Sequence, residues 1–249
     1  MTDMDERNVD DICPTCGGSG WAPTEVAGAV RRCDCWKKQR MARLQASANI
    51  PKRYQNCDLE SFKTFRDVSH KNAKLQVEGF LRQYPLLKED DPKKSVGLLL
   101  MGPCGVGKTH LAVALLRQLI AQTGEVGLFY NFSDLLKEIQ DSWNPIAQTS
   151  ELDVLRPVMD AKVLVLDELG ANKVTDWVRD TLYHIINNRY VKSKLTFFTS
   201  NYLDAPSRPG EETLADRIGV RLRSRLHSMC VDVEMRGEDG RTDFAKASL

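Results

Sequence analysis

Four short runs of apolar residues punctuate the chain: Val96-Gly-Leu-Leu-Leu-Met101, Gly127-Leu-Phe-Tyr-Asn131, Val163-Leu-Val-Leu166 and Leu195-Thr-Phe-Phe-Thr-Ser200. Continuous runs of this length mark strands buried on both faces of a parallel sheet. A fifth, Cys230-Val-Asp-Val-Glu-Met235, alternates apolar with polar and suits an edge. Helical spacing fills the intervals. Leu111, Leu115, Leu116 and Leu119 share one face through Ala121, and Ser133 is placed to cap the helix after the second strand. A further helix is predicted near Asn72 to Gln83 and a basic one over Trp36 to Ala48, ending before Pro51; Pro85 to Lys94 reads as an exposed loop. Leu214, Ile218, Leu222 and Leu226 make the apolar stripe of a helix through Asp216 to Leu226. Strands alternating with helices predict an α/β fold, a parallel sheet with flanking helices.

The candidate chemistry lies at the ends of these strands. The first runs into Gly102-Pro-Cys-Gly-Val-Gly-Lys-Thr109, which fits G-x-x-x-x-G-K-[ST] and stands between a strand and a helix, as that motif requires. Gly102, Pro103, Cys104, Gly105, Val106 and Gly107 form the loop, whose glycines let the backbone N–H groups of its non-proline residues converge on phosphates. Lys108 brings a positive charge and Thr109 a hydroxyl for magnesium, so the chain is expected to bind a nucleoside triphosphate with Mg2+. The third strand ends in Asp167-Glu168: Asp167 is placed to hold magnesium and Glu168 to polarise a water for attack on the γ phosphate. If the fourth strand lies between the first and third, Asn201 at its end reaches the γ phosphate. Nucleotide kinases need no base such as Glu168, and Asn172-Lys-Val-Thr-Asp176 has one residue too many for the guanine-reading N-K-x-D, so a kinase and a GTPase are disfavoured. A nucleotide-gated binding module without hydrolysis is the other option.

Arg217, Arg221 and Arg225 recur every four residues, which on one helix makes a row of guanidinium groups that repel one another unless phosphates lie opposite. A solvated basic face is the plainer reading of composition alone.

Four of the seven cysteines fall in the first 35 residues, as Cys13-Pro-Thr-Cys16 and Cys33-Asp-Cys35. A C-x-x-C pair followed by glycines can wrap a knuckle around a metal, and a second pair can complete a tetrahedral thiolate site. Zinc is the default occupant; redox or iron–sulfur use and uncommitted thiols are the alternatives. Cys104, inside the phosphate loop, is a site for alkylation or oxidation.

Composition narrows the rest. The chain has 249 residues, 42% hydrophobic, without an apolar stretch near membrane-spanning length or an N-terminal apolar leader, so a cytoplasmic protein with no membrane partner is expected. Net charge is +1, but the first twelve residues carry five acids against one base, and Arg31 to Arg53 holds eight bases against Asp34. The acidic start reads as a disordered tail, and the polar chain after Arg236 as frayed.

Taken together, the phosphate loop running into Thr109-His-Leu-Ala-Val-Ala, the strand end Leu166-Asp-Glu-Leu-Gly170, Thr199-Ser-Asn201 and the box Arg221-Leu-Arg-Ser-Arg225 resemble the AAA+ ATPases of the DnaC, DnaI and IstB group, over roughly residues 50 to 241. That group includes bacterial helicase loaders and transposition helpers. The resemblance implies a P-loop AAA+ core over 49–249 behind an N-terminal unit, 1–48, of acidic tail, zinc module and basic linker helix. It makes Arg225 an arginine finger acting on the neighbouring protomer of a homo-oligomer, with Arg221 supporting it. It places His110 beside the phosphate loop, passes the segment Ile50 to Phe62 along the adenine with Tyr54 and Phe62 as contacts, and offers Arg241 as a late arginine of the family. The function implied is an ATPase that assembles on single-stranded DNA and loads the replicative hexameric helicase, its cofactors ATP, Mg2+ and Zn2+. The alternative is an IstB-like helper of a transposase.

Overall fold

The computed structural model describes residues 13–26, 28–64, 67–146, 148–172, 175–206, 208 and 210–240. The acidic first twelve residues and Arg241 lie outside them. Five parallel strands, β3 (Gly97–Met101), β4 (Gly127–Asn131), β5 (Val163–Asp167), β6 (Leu195–Ser200) and β7 (Cys230–Glu234), form one sheet in the order β4-β5-β6-β3-β7. β6 thus lies between β3 and β5, as the placement of Asn201 requires, and the alternating β7 closes an edge.

The continuous apolar runs have the cause expected of them: successive residues point into two different cores. Leu98, Leu100, Phe129, Val163, Val165 and Phe197 join one cluster. It is covered by α2 (Val68–Gln83) and α3 (Lys108–Thr123). Leu99, Met101, Leu164, Leu166 and Phe198 join the other. That face is covered by α4 (Phe132–Asp141), α5 (Glu151–Asp160), α6 (Asp176–Val191), α7 (Leu214–Ile218) and α8 (Val220–Met229). With both faces covered, the loops at the carboxyl ends of the strands are the place where side chains can converge on a ligand.

Three expected elements are corrected. The helix expected to start near Asn72 begins at Val68, because Asp67 caps it by accepting from the Ser69 amide at 2.7 Å. The cap of α4 is Asn131, whose Oδ1 accepts from the Ser133 amide at 2.9 Å; the Ser133 hydroxyl instead donates to Asn172 Oδ1. The helix drawn through Asp216 to Leu226 is two helices. Gly219, at φ 91° and ψ 144°, separates α7 from α8, a conformation that a residue with a Cβ resists. The sequence stripe persists because Leu214, Ile218, Leu222 and Leu226 all reach the same core, but the three arginines no longer share one helix.

The N-terminal segment is a two-stranded antiparallel ribbon, β1 (Trp21–Pro23) with β2 (Val30–Arg32), followed by α1 (Asp34–Ala46). α1 docks on α3: Arg40 donates to the Gly124 carbonyl at 3.2 Å, and the carbonyl of fully buried Ala48 accepts from the Phe129 amide at 2.8 Å. The Pro85 to Lys94 stretch is anchored at its start by buried Tyr84, whose hydroxyl donates to Glu125 at 3.1 Å. After β7 the chain is not frayed through residue 240. Met235 donates to the Met101 carbonyl at 2.7 Å and Gly240 to the Gly105 carbonyl at 3.2 Å, so this segment runs back over the phosphate loop.

Arg189 is wholly buried and, among the described residues, donates no hydrogen bond to a carboxylate. Its guanidinium donates to the carbonyls of Val158, Ala161 and Leu195 and to the Thr196 hydroxyl, tying α5 and α6 to the amino end of β6. Burial pulls its pKa down to about 9. Because three buried carbonyls would lose their donor, Arg189→Leu is expected to cost about 3–4 kcal/mol in denaturant unfolding. A loss below about 1 kcal/mol would mean that water replaces the guanidinium.

Candidate functional site

Gly107, at φ 96°, turns the phosphate loop into α3, and a Cβ there would lie 2.7 Å from Phe62 Cε2. The loop therefore needs glycine both for its backbone and for the aromatic ring seated on it. Lys108 Nζ donates to the carbonyls of Gly102 and Pro103, each at 2.7 Å, so the ammonium is folded back across the loop mouth.

The register of the sheet assembles the carboxylate site. Leu166 pairs with Phe198, which brings Asp167 beside Thr199, while Met101 pairs with Ser200 and Asn131 with Asp167. Asp167 is 3% exposed. Its Oδ1 accepts from the Thr199 hydroxyl at 2.6 Å and from the Thr109 hydroxyl at 2.9 Å. Burial raises the Asp167 pKa, and the two hydroxyls oppose that shift. Carboxylate and hydroxyl oxygens together are the donor set that suits a hard divalent cation such as magnesium.

Glu168 is one of the few non-glycine residues at positive φ, 61°. Its amide donates to Thr199 Oγ1 at 2.9 Å and its Oε2 accepts from Asn131 Nδ2 at 2.9 Å. A bulky residue held in the left-handed region is a strained feature of the kind found where side-chain direction matters. A cavity of about 550 Å³ gathers the phosphate loop, Thr109, Glu168, Asn201, Tyr54 and Phe62. His110 also lines it; its Nε2 lies 2.8 Å from the Asp58 carbonyl and its ring is edge-on to Phe62 at 5.5 Å. Cys104 is exposed.

Arg221 and Arg225 do not line this cavity. Both stack on Tyr183 of α6, at 4.7 and 5.3 Å, and Arg225 also bonds to Asn187 Oδ1. Arg217, expected in the same row, instead clamps the loop after β5 by donating to Gly170, Ala171 and Asn172 carbonyls and pairing with Glu212. Arg223, not singled out from the sequence, is buried between Asp204 and Asp232. Thr199 and Asn131 were also missed as parts of the site; their signal was position, one at the carboxyl end of each strand flanking β5. Trp143 meets Trp177 edge-on at 5.2 Å.

The four N-terminal cysteines converge, with all four sulfurs within 4.8 Å of one another. Cys13 and Cys33 are 3.7 Å apart and Cys16 and Cys35 3.3 Å. A tetrahedral site with ~2.3 Å metal–sulfur bonds needs sulfur separations of roughly 3.8 Å, so the donor set fits zinc. The shorter C-x-C bite is accommodated because Cys33 precedes α1 and Cys35 lies in its first turn. The Gly20 amide donates to Cys16 Sγ at 3.3 Å, and the amides of Thr15 and Cys16 bring the Cys13 thiol down to about 6.

With this geometry in hand, the chain can be placed among known proteins. The sequence profile of the IstB-like ATP binding protein family matches residues 36–244. The chain belongs to this family. It is 30% identical over 178 residues to a Mycobacterium tuberculosis protein named for ATP binding in an insertion sequence, 69% of this chain and 68% of that one. It is 29% identical to the replicative helicase loader DnaI of Bacillus subtilis over 66% of this chain, spanning about half, 52%, of DnaI. Among solved structures, the DnaC helicase loader superposes with a TM-score of 0.62 at 32% identity, covering 74% of this chain and 99% of that one. The fold is thus the AAA+ fold of the helicase loaders, and ATP binding is the property of its family. Among the described residues no helix is long and apolar enough to cross a membrane.

Since burial raises the Asp167 pKa, ionised Asp167 costs the fold stability above the unfolded value, and that cost disappears as pH falls through the raised folded value. Asp167→Asn is therefore expected to melt above the wild type at neutral pH without magnesium, the gap narrowing on acidification. A variant melting below the wild type at neutral pH would show that the two threonine hydroxyls outweigh desolvation.

Proposed function

We propose that this chain is an ATPase switch that assembles with its own copies on single-stranded DNA and delivers a replicative hexameric helicase. The observation that carries the reading is the joint placement of Lys108, Thr109, Glu168 and Asn201 around one cavity, with buried Asp167 bonded to Thr109 behind it, in a chain 32% identical to the DnaC helicase loader. In this scheme Lys108 leaves the Gly102 and Pro103 carbonyls for the phosphates. Thr109 and Asp167 hold magnesium, which supplies charge neutralisation at the phosphates. Glu168 takes the proton of the attacking water, and Asn201 contacts the γ phosphate. Tyr54, Phe62 and His110 border the nucleotide.

Each cavity lacks a guanidinium of its own from α8, which supports a finger supplied in trans: Arg225, with Arg221 beside it, would leave the Tyr183 stack for a neighbour's nucleotide. The cysteine module, holding zinc at Cys13, Cys16, Cys33 and Cys35, lies ahead of the region matched by the family profile, 36–244, and in this scheme residues 1–48 dock the client while 49–249 form the ATPase domain. A second reading, an ATPase helper of a transposase, is favoured by the 30% identity to the insertion-sequence protein. Affinity capture from the native host separates the two: recovery of a hexameric helicase supports the loader and recovery of a transposase the helper.

Glu168→Gln is expected to keep ATP binding while turnover falls ~100-fold. Arg225→Ala protein should be inactive alone, and mixing the two variants should restore hydrolysis at interfaces that pair an intact Glu168 with an intact Arg225. Concentration-independent turnover by a monomer would contradict action in trans. Purified chain should hold about one zinc. Cys33→Ser should release it, with hydrogen-exchange protection lost over residues 13–33 and kept in β3 to β7. Iron with visible absorbance would overturn the zinc assignment.

A further inference from the structure

The nucleotide cavity includes a polar side chain that the scheme above leaves idle. His70, in the first turn of α2, lines the cavity, is 2% exposed, and has no hydrogen-bond partner for either ring nitrogen among the described residues. Buried polar groups are nearly always paired, and an exception asks for a ligand. A side chain wanted only for packing here would be served by leucine or phenylalanine without that desolvation cost.

The surroundings hold the imidazole in place without satisfying it. Asp67, the cap of α2, spends its carboxylate on the Ser69 amide. The Arg236 amide donates to Ser69 Oγ at 2.8 Å, which pins the chain leaving β7 onto the same turn. The Gly237 backbone passes close enough that a Cβ there would lie 3.5 Å from His70 Nε2. Phe62 covers the remaining side, its ring 6.0 Å from the imidazole and its edge against Gly107 of the phosphate loop. Phe62 thus lies between Gly107 of the phosphate loop and His70.

We propose that His70 reads the base of the bound nucleotide: a ring nitrogen of its imidazole accepts a hydrogen bond from the exocyclic amino group of adenine once the base turns Phe62 aside. This rests on the nucleotide reading given above: the phosphate loop holds the triphosphate, and Tyr54, Phe62 and His70 line the same cavity as the side chains placed toward the base. A neutral imidazole has one donor and one acceptor nitrogen, so it can meet that amino group, whereas the loop's backbone amides read phosphates and are blind to the base.

The test is equilibrium titration of the full chain with ATP, purine riboside triphosphate, which lacks the amino group, and inorganic tripolyphosphate. Wild-type protein should prefer ATP to purine riboside triphosphate about 5–10-fold, the worth of one buried hydrogen bond. His70→Phe should abolish that preference and weaken ATP by a similar factor while leaving tripolyphosphate unchanged; His70→Gln, which keeps an acceptor, should recover part of it. Equal wild-type affinity for the two nucleotides would overturn the proposal without recourse to any variant. So would a preference that survives in His70→Phe, or equal losses of ATP and tripolyphosphate, which would mark a structural role. Failure of wild-type protein to bind any of the three would instead refute the nucleotide site itself.

Discussion

The buried carboxylate of Asp167 is the point on which the rest of the site depends. One oxygen accepts from Thr199 at the end of β6 and from Thr109 at the start of α3, so a single group ties together β5, its neighbour β6 and the helix that follows the phosphate loop. Those hydroxyls offset part of the cost of burying a charge. The same Thr199 oxygen receives the Glu168 amide, which sets the positive φ that sends the Glu168 side chain toward Asn131. Asp167 and Glu168 are adjacent in sequence and unlike in setting: one is fixed and dry, the other lines the cavity with one neighbour on β4.

The sheet order makes this possible. Placing β6 between β3 and β5 brings phosphate loop, carboxylates and Asn201 to neighbouring strand ends. Arg221 and Arg225 of α8 stand apart from that centre, spent on aromatic rings and on Asn187 of their own chain, a resting arrangement consistent with the assembly proposed for them.

Much of this was legible in the sequence because the sheet is parallel and buried. Val163 to Leu166 is apolar, and Leu195 to Ser200 is buried at every position, without alternation since each face meets its own helices, and the motif residues had to follow them. Legibility failed where spacing stood in for backbone conformation. Arg217, Arg221 and Arg225 keep a period of four across Gly219, which breaks the helix, so periodicity survived while the shared face did not. Asn131 and Ser133 are both good caps, and only geometry chose Asn131. His70 carried no motif: its burial comes from Gly237 and Phe62, which lie far from it in sequence or belong to an irregular segment. The return of residues 235–240 over the phosphate loop was hidden by their polarity, since two backbone hydrogen bonds hold them there.

The central claim is that Lys108, Thr109 and Asp167 build one magnesium-dependent triphosphate site per chain. Isothermal titration of ATP into the full chain, once with magnesium and once with a chelator, tests it most directly. The account predicts saturation at about one nucleotide per chain, with affinity falling at least tenfold when magnesium is withdrawn and no such dependence left in Thr109→Ala. Binding of equal strength with and without the metal, or unaltered by Lys108→Ala, would contradict it.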